Sequence, residues 1–132
     1  MRPVALDDLT LSLSRGYETL RRAARVLADA DLNIEAVCVP EGGPHRDAHL
    51  LVADGARAAA LLEAAGIPAA SLRRVHALRL PNRPGTLARV LDLVAPHEGL
   101  VEFVYQATDR GLILGSRQPE RLLEVLAPVL AP

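Results

Sequence analysis

Leu80-Pro81-Asn82-Arg83-Pro84-Gly85-Thr86-Leu87 compresses a strand end, a Pro/Gly turn and a helix start into one short stretch. A helix that begins at Gly85 or Thr86 leaves its first backbone N–H groups without intrahelical partners. Those groups, together with the helix dipole, attract a carboxylate. Glycine at the mouth lets a ligand approach the backbone, and Pro81 and Pro84 stiffen the turn. The stretch therefore suits a small anionic or zwitterionic ligand. The competing reading is a plain strand-to-helix turn in which Asn82 or Thr86 caps the helix.

Upstream lies a fainter copy of the same order. Adding 67 takes Leu13 to Leu80, Thr19 to Thr86, Leu20 to Leu87, Arg22 to Arg89, Glu35 to Glu102 and Val37 to Val104. Shared leucines arise by chance in a leucine-rich chain, but a shared Thr-Leu and a shared Glu within one element order point to duplication. In the first half, Leu9, Leu11 and Leu13 alternate with Thr10, Ser12 and Ser14 as in a half-buried strand. Leu20, Ala23, Ala24, Leu27 and Ala28 recur at helical spacing, with Arg21, Arg22 and Arg25 turned outward. Strands over 34–39 and 50–52, a helix over 56–65 and a strand near 71–75 complete the unit. The second half reads strand (75–80), helix (85–94), strand (101–106), turn at 109–111, strand (112–114) and a helix from Pro119. Each third strand is apolar on both faces, which predicts that the open sheet surface packs on something, most simply a second copy.

Half of the chain is apolar but only 2% is aromatic, so the core is built from Leu, Val and Ala. All 15 basic residues are arginine, which biased base composition explains without any special function. A net charge of −1 leaves no electrostatic footprint for nucleic acid or an anionic membrane. No apolar run approaches a bilayer span, and the stretch from Met1 to Asp8 is too short and too acidic for a signal peptide. Cys38 is the single cysteine, set in an apolar run and read as a small core residue; its isolation fits a reducing cytoplasm.

Asn82-Arg83-Pro84-Gly85-Thr86-Leu87, followed by a helix and then by Gly99-Leu100-Val101-Glu102-Phe103-Val104-Tyr105, resembles the ACT domain with its N-x-P-G-x-L motif. The resemblance implies an α+β fold of two tandem ferredoxin-like βαββαβ units, residues 1–73 and 74–132, with sheets side by side and helices on one face. It implies a free-standing, non-enzymatic regulatory or sensor protein that binds a small molecule, an amino acid in the first instance, between the units. Backbone N–H groups near Gly85, Thr86 and Leu87 would receive the carboxylate, with Asn82, Arg83 and Pro84 around it. From the other half Asn33-Ile34 matches the family's Gly-(Ile/Val)-Asn-(Ile/Val) stretch, and the Asn33 amide would bind amino or carboxyl groups. A homodimer, from the apolar open sheet surface, and an enzyme or regulator as partner are expected; no cofactor, metal, nucleic acid or membrane is.

Departures from the pattern carry information. The first-half loop, Ser14-Arg15-Gly16-Tyr17-Glu18, lacks both the Asn and the Pro-Gly, and Leu100 stands where the first half has Asn33. One competent site and one degenerate copy are expected. After Leu130 little sequence remains for a last strand in the second half, so either that strand is lost or Val4-Ala5-Leu6 takes its place. The alternative to ligand binding is a ligand-free interaction or oligomerisation module.

Other residues invite sharper readings that weigh less. His45, Asp47 and His49 alternate and would face a metal from an extended segment, but they follow a Gly-Gly-Pro turn where exposed histidines are common. His76 and His97 read as surface or strand-edge residues. Tyr105 either lines a pocket or packs. Glu35 and Glu102 lack the environment of a general acid. Phe103 and Tyr105 alternate as in RNA-binding sheets, yet without a basic surround.

Overall fold

A computed structural model of the protein describes residues 3–41 and 46–130. Its elements run β1 (Val4–Ser12), α1 (Tyr17–Asp29), β2 (Ala36–Cys38), β3 (Asp47–Val52), α2 (Gly55–Ala64) and β4 (Ser71–Leu78). They continue with α3 (Thr86–Val94), β5 (Phe103–Ala107), β6 (Gly111–Gly115), α4 (Pro119–Val125) and α5 (Ala127–Leu130). The chain divides into two compact units, residues 6–74 and, among the described residues, 75–130 with 3–5.

In the first unit β3 lies between β1 and β2, antiparallel to both, with Leu9 opposite Leu50 and Leu50 opposite Val37. The crossover helix α1 thus joins two strands that are separated by a third, the split β-α-β of a ferredoxin-like unit. The predicted alternation places Leu9, Leu11 and Leu13 in the core with Ala48, Leu50 and Val52. Helical spacing brings Ala23 and Leu27 of α1, and Ala58 and Leu62 of α2, onto the same cluster. The segment leading into β4 closes the unit: the Ala70 N–H donates to the Thr10 carbonyl at 2.7 Å.

The second unit repeats the arrangement with β6 between β4 and β5. Ile113 is opposite both Ala77 and Tyr105. Its core gathers Leu78, Val90, Val94, Leu100, Leu114, Leu122 and Leu126. After β6 the described chain turns helical and supplies no further strand. Val4 and Ala5, the first residues of β1, group with this unit, and β1 is the neighbour of β4. They stand where a fourth strand belongs. The two strands read separately at 71–75 and 75–80 are one, β4, whose residues 71–74 serve the first unit and 75–78 the second.

Several expectations need correction. The opening strand starts at Val4 rather than Leu9, so the acidic pair Asp7-Asp8 lies inside it and is buried. Both carboxylates are satisfied there. Asp7 accepts from the Gly55 N–H at 2.7 Å and meets Arg74 Nε at 3.0 Å. Asp8 accepts from Thr10 Oγ1 at 3.3 Å and lies 3.0 Å from His49 Nδ1. Thr10, read as outward-facing, is consequently buried. Cys38 is half-buried on the edge strand β2 rather than in the core. His76 lies within β4 opposite Leu114 and is half-buried.

The expected exposed sheet surface also differs. By strand alternation Ile113 faces away from Leu114 and the helices, yet Ile113 is 0% exposed, and Ala77 and Tyr105 on its face are 3% and 8% exposed in the single chain. That face supplies no argument for a second copy.

Candidate ligand-binding site

The segment from the end of β4 to α3 is a compact double turn. The Arg83 N–H donates to the Pro81 carbonyl at 3.1 Å, and the Thr86 N–H to the Arg83 carbonyl at 3.3 Å. Gly85 takes the N-cap position at φ +94°, a left-handed conformation that only glycine adopts readily, and α3 opens with the Arg89 N–H on the Gly85 carbonyl at 2.9 Å. No side chain caps the helix. Capping by Asn82 or Thr86 is therefore not what this turn does, and the first N–H groups of α3 beyond Thr86 have no side-chain acceptor.

Two clefts flank this turn within the second unit. One, of about 100 Å³, is lined by Asn82, Arg83, Thr86 and Leu87 together with Leu78, Leu80, Pro81, Gln106, Gly111 and Leu112. The other, of about 350 Å³, is lined by Leu80, Pro81, Arg83, Pro84, Gly85, Thr86, Arg89 and Val129. Arg83 and Thr86 thus border both, and all of Asn82, Arg83, Pro84, Gly85, Thr86 and Leu87 line one or the other. Among the described residues Arg83 and Arg89 are the charged groups in the linings, with no carboxylate. The arrangement offers an apolar floor, an amide, two guanidiniums and helix-start N–H groups that no described side chain caps.

Asn33 and Ile34 belong to the first unit. Asn33 is exposed and its amide donates to the Glu35 carboxylate; Ile34 packs on the first core. Neither lies in a strand, because β2 begins at Ala36. Asn33 does not end a helix either, since the C-cap of α1 is Ala30.

Gln106, Gly111 and Leu112 are lining residues that the sequence did not disclose. They come from the β5–β6 hairpin, and its approach to β4 is a tertiary event. Asp109-Arg110-Gly111 reads as a turn, and nothing local says that a Cβ at Gly111 would fall 2.2 Å from the Leu78 carbonyl oxygen.

The other candidates separate from this site. Tyr105 packs, with its ring stacked on Phe103 at 5.9 Å between centroids. Glu102 pairs with Arg117 at 3.1 Å. Of the proposed metal trio, His45 lies outside the described residues, Asp47 is exposed, and His49 turns its Nδ1 to Asp8. Among the described residues no group of His, Cys, Asp and Glu is arranged to hold a metal ion. No described helix is long and apolar enough to cross a membrane.

The first-half counterpart is a cleft of about 380 Å³ lined by Ser12, Ser14, Arg15, Thr19, Arg22, Gly66, Ile67 and Pro68. Thr19 and Arg22 correspond by the 67-residue offset to Thr86 and Arg89. Both arginines reach the far end of the unit's second helical segment: Arg22 Nη2 donates to the Ala65 carbonyl at 2.9 Å, and Arg89 Nη2 to the Pro128 carbonyl at 3.2 Å. The duplication extends to this contact.

No family model matches the chain, and no curated protein does. Solved structures share its fold. Protein BT0572 from Bacteroides thetaiotaomicron superposes with a TM-score of 0.74 at 22% identity, covering 96% of this chain and 88% of its own. The regulatory subunit of aspartate kinase from Thermus thermophilus gives 0.59 at 18% identity, with 95% and 91% covered. That from Thermus flavus gives 0.62 at 16%, with 98% and 94% covered. At these identities the likeness establishes architecture: the chain has the tandem ACT-type α+β fold, and the aspartate kinase chains among its structural neighbours include regulatory subunits.

Proposed function

We propose that the protein is a regulatory binding module that takes a free amino acid at the turn between β4 and α3. The observation that carries this reading is the uncapped start of α3 at Gly85, flanked by two clefts that are lined with Asn82, Arg83 and Arg89 and, among the described residues, by no carboxylate. The ligand carboxylate meets the N–H groups following Gly85 and the Arg83 guanidinium, the Asn82 amide takes the amino group, and the side chain lies against Leu78, Leu80 and Leu112. The Thr86 hydroxyl is the one side-chain nucleophile among the described lining residues and no His, Asp or Glu lines the clefts beside it, so the role we assign is recognition. Its output is an effect on a partner enzyme, as the regulatory subunits of aspartate kinase suggest by their names. A coupling of about 1–3 kcal/mol suffices for such an effect.

The test is thermal unfolding and calorimetric titration of the full chain with each of the common amino acids at millimolar concentration. At least one should raise the melting temperature saturably. Asn82→Ala should weaken its binding about tenfold, equivalent to roughly 1.4 kcal/mol. Asn33→Ala examines the part of the resemblance that assigns a role to that amide. Absence of any saturable shift overturns the reading.

A second reading, an oligomerisation module, has its own observation. Leu87, Leu91 and Val104 are 50%, 41% and 39% exposed, large apolar side chains left without cover. On this reading the chain self-associates through α3 and β5, and Leu91→Glu with Val104→Glu converts a dimer to a monomer in sedimentation velocity. A wild-type monomer at tens of micromolar removes it.

A further inference from the structure

The cleft of the first unit has a chemistry of its own. Its lining holds two guanidiniums, Arg15 and Arg22, and three hydroxyls, Ser12, Ser14 and Thr19, with no carboxylate. Arg22 is anchored by its 2.9 Å bond to the Ala65 carbonyl, which uses one of the five N–H donors of a guanidinium and fixes its position in the lining. The Arg15 side chain makes no hydrogen bond or ion pair with any described residue. Glu18, the nearest acid along the chain, is engaged by Arg21, whose guanidinium hydrogen-bonds its carboxylate and holds it below the usual carboxylate range. The described lining residues thus bring positive charge to this cleft without an opposing carboxylate.

The second unit does not share this lining. By the 67-residue offset Ser12, Ser14 and Arg15 become Arg79, Pro81 and Asn82, whereas Thr19 and Arg22 keep their identities as Thr86 and Arg89. The shared pair belongs to the common scaffold; the two serine hydroxyls and Arg15 are particular to the first unit. A carboxylate offers two oxygens, fewer than two guanidiniums and three hydroxyls can engage, while a phosphoryl dianion offers three strong acceptor oxygens. We propose that this cleft binds the phosphoryl group of a small soluble metabolite, making the first-half loop a site of different chemistry rather than a decayed copy.

The experiment titrates the ¹⁵N-labelled full chain with inorganic phosphate and separately with glycerol 3-phosphate, following amide shifts, with acetate as the monoanion control at equal ionic strength. Saturable shifts are expected at residues 14–19 and 22, with acetate at least tenfold weaker. Arg15→Ala should weaken phosphate binding at least tenfold. Ser14→Ala should weaken it severalfold with an unchanged melting temperature, which guards against a variant that merely unfolds. Asn82→Ala should leave phosphate binding as it is, so this test stands apart from the amino acid reading. Non-saturating shifts, equal response to acetate, or unaltered binding by Arg15→Ala would each overturn the proposal. Saturation by inorganic phosphate but not by glycerol 3-phosphate would also overturn it, since the cleft would then exclude the ester.

Discussion

Two glycines show how different the demands on one residue type are. Gly85 (φ +94°) has nothing within 4 Å of a built Cβ, whereas at Gly111 (φ +84°) that atom would fall 2.2 Å from the Leu78 carbonyl oxygen. Gly85→Ala therefore carries only the left-handed backbone strain, about 1–2 kcal/mol. Gly111→Ala adds a collision with backbone and should cost more than about 3 kcal/mol, among the large single-residue effects. Urea denaturation of both variants checks the order; equal losses would contradict it. The role of Gly85 was legible from its Pro-Gly setting beside Thr86. That of Gly111 was not, because the atom it avoids is contributed by β4. The same holds for Asp7: the sequence shows only a start too acidic for a signal peptide, while its carboxylate accepts the buried Gly55 N–H at 2.7 Å. Asp7→Ala leaves that donor unsatisfied at about 1–3 kcal/mol, again measurable by urea denaturation.

Among the elements, the helix pairs are tied by arginines that periodicity alone assigns to solvent. Neither α1 nor α2 has a basic residue in its last turn to meet its terminal carbonyls. Each receives one from the other: Arg22 of α1 donates to the Ala65 carbonyl at the end of α2, and Arg57 of α2 to the Ala30 carbonyl at the end of α1, at 3.3 Å. A guanidinium there satisfies an orphan acceptor and complements the negative end of the dipole. The bonds are exposed, so Arg57→Ala should cost only about 0.5–1 kcal/mol. The loss should appear as faster amide exchange at residues 29–32, with α2 itself little changed. Exchange spread evenly over the first unit would show a different role for Arg57. The helical spacing located α1 and α2 to within a residue or two, because their buried stripes are local properties of the chain. Strand limits were read less well. β2 shortens to Ala36–Cys38, although the Glu35 N–H already bonds the Leu51 carbonyl of β3 at 2.7 Å.

For the molecule as a whole, duplication alone does not account for how the two units are completed. A ferredoxin-like unit needs four strands, yet the described chain has six in all. The balance is met by division: β4 gives residues 71–74 to the first unit and 75–78 to the second, and β1 gives Val4 and Ala5 to the second and its remainder to the first. The sequence held both halves of this solution, an apolar Val4-Ala5-Leu6 and strand-like runs on either side of Val75. It could not show that the runs are continuous, because continuity depends on which neighbours hydrogen-bond to them. The consequence is specific. Val4 and Ala5 are largely exposed, so apolar burial is not their main contribution to the second unit. Removing residues 2–5 should take about 1–2 kcal/mol from the second unit, the worth of one or two net backbone hydrogen bonds. Hydrogen exchange should then accelerate at residues 75–78 while residues 9–11 and 48–52 keep their protection. Uniform acceleration would mean that the two units unfold as one cooperative body, and unchanged exchange at 75–78 would mean that β1 does not complete the second unit.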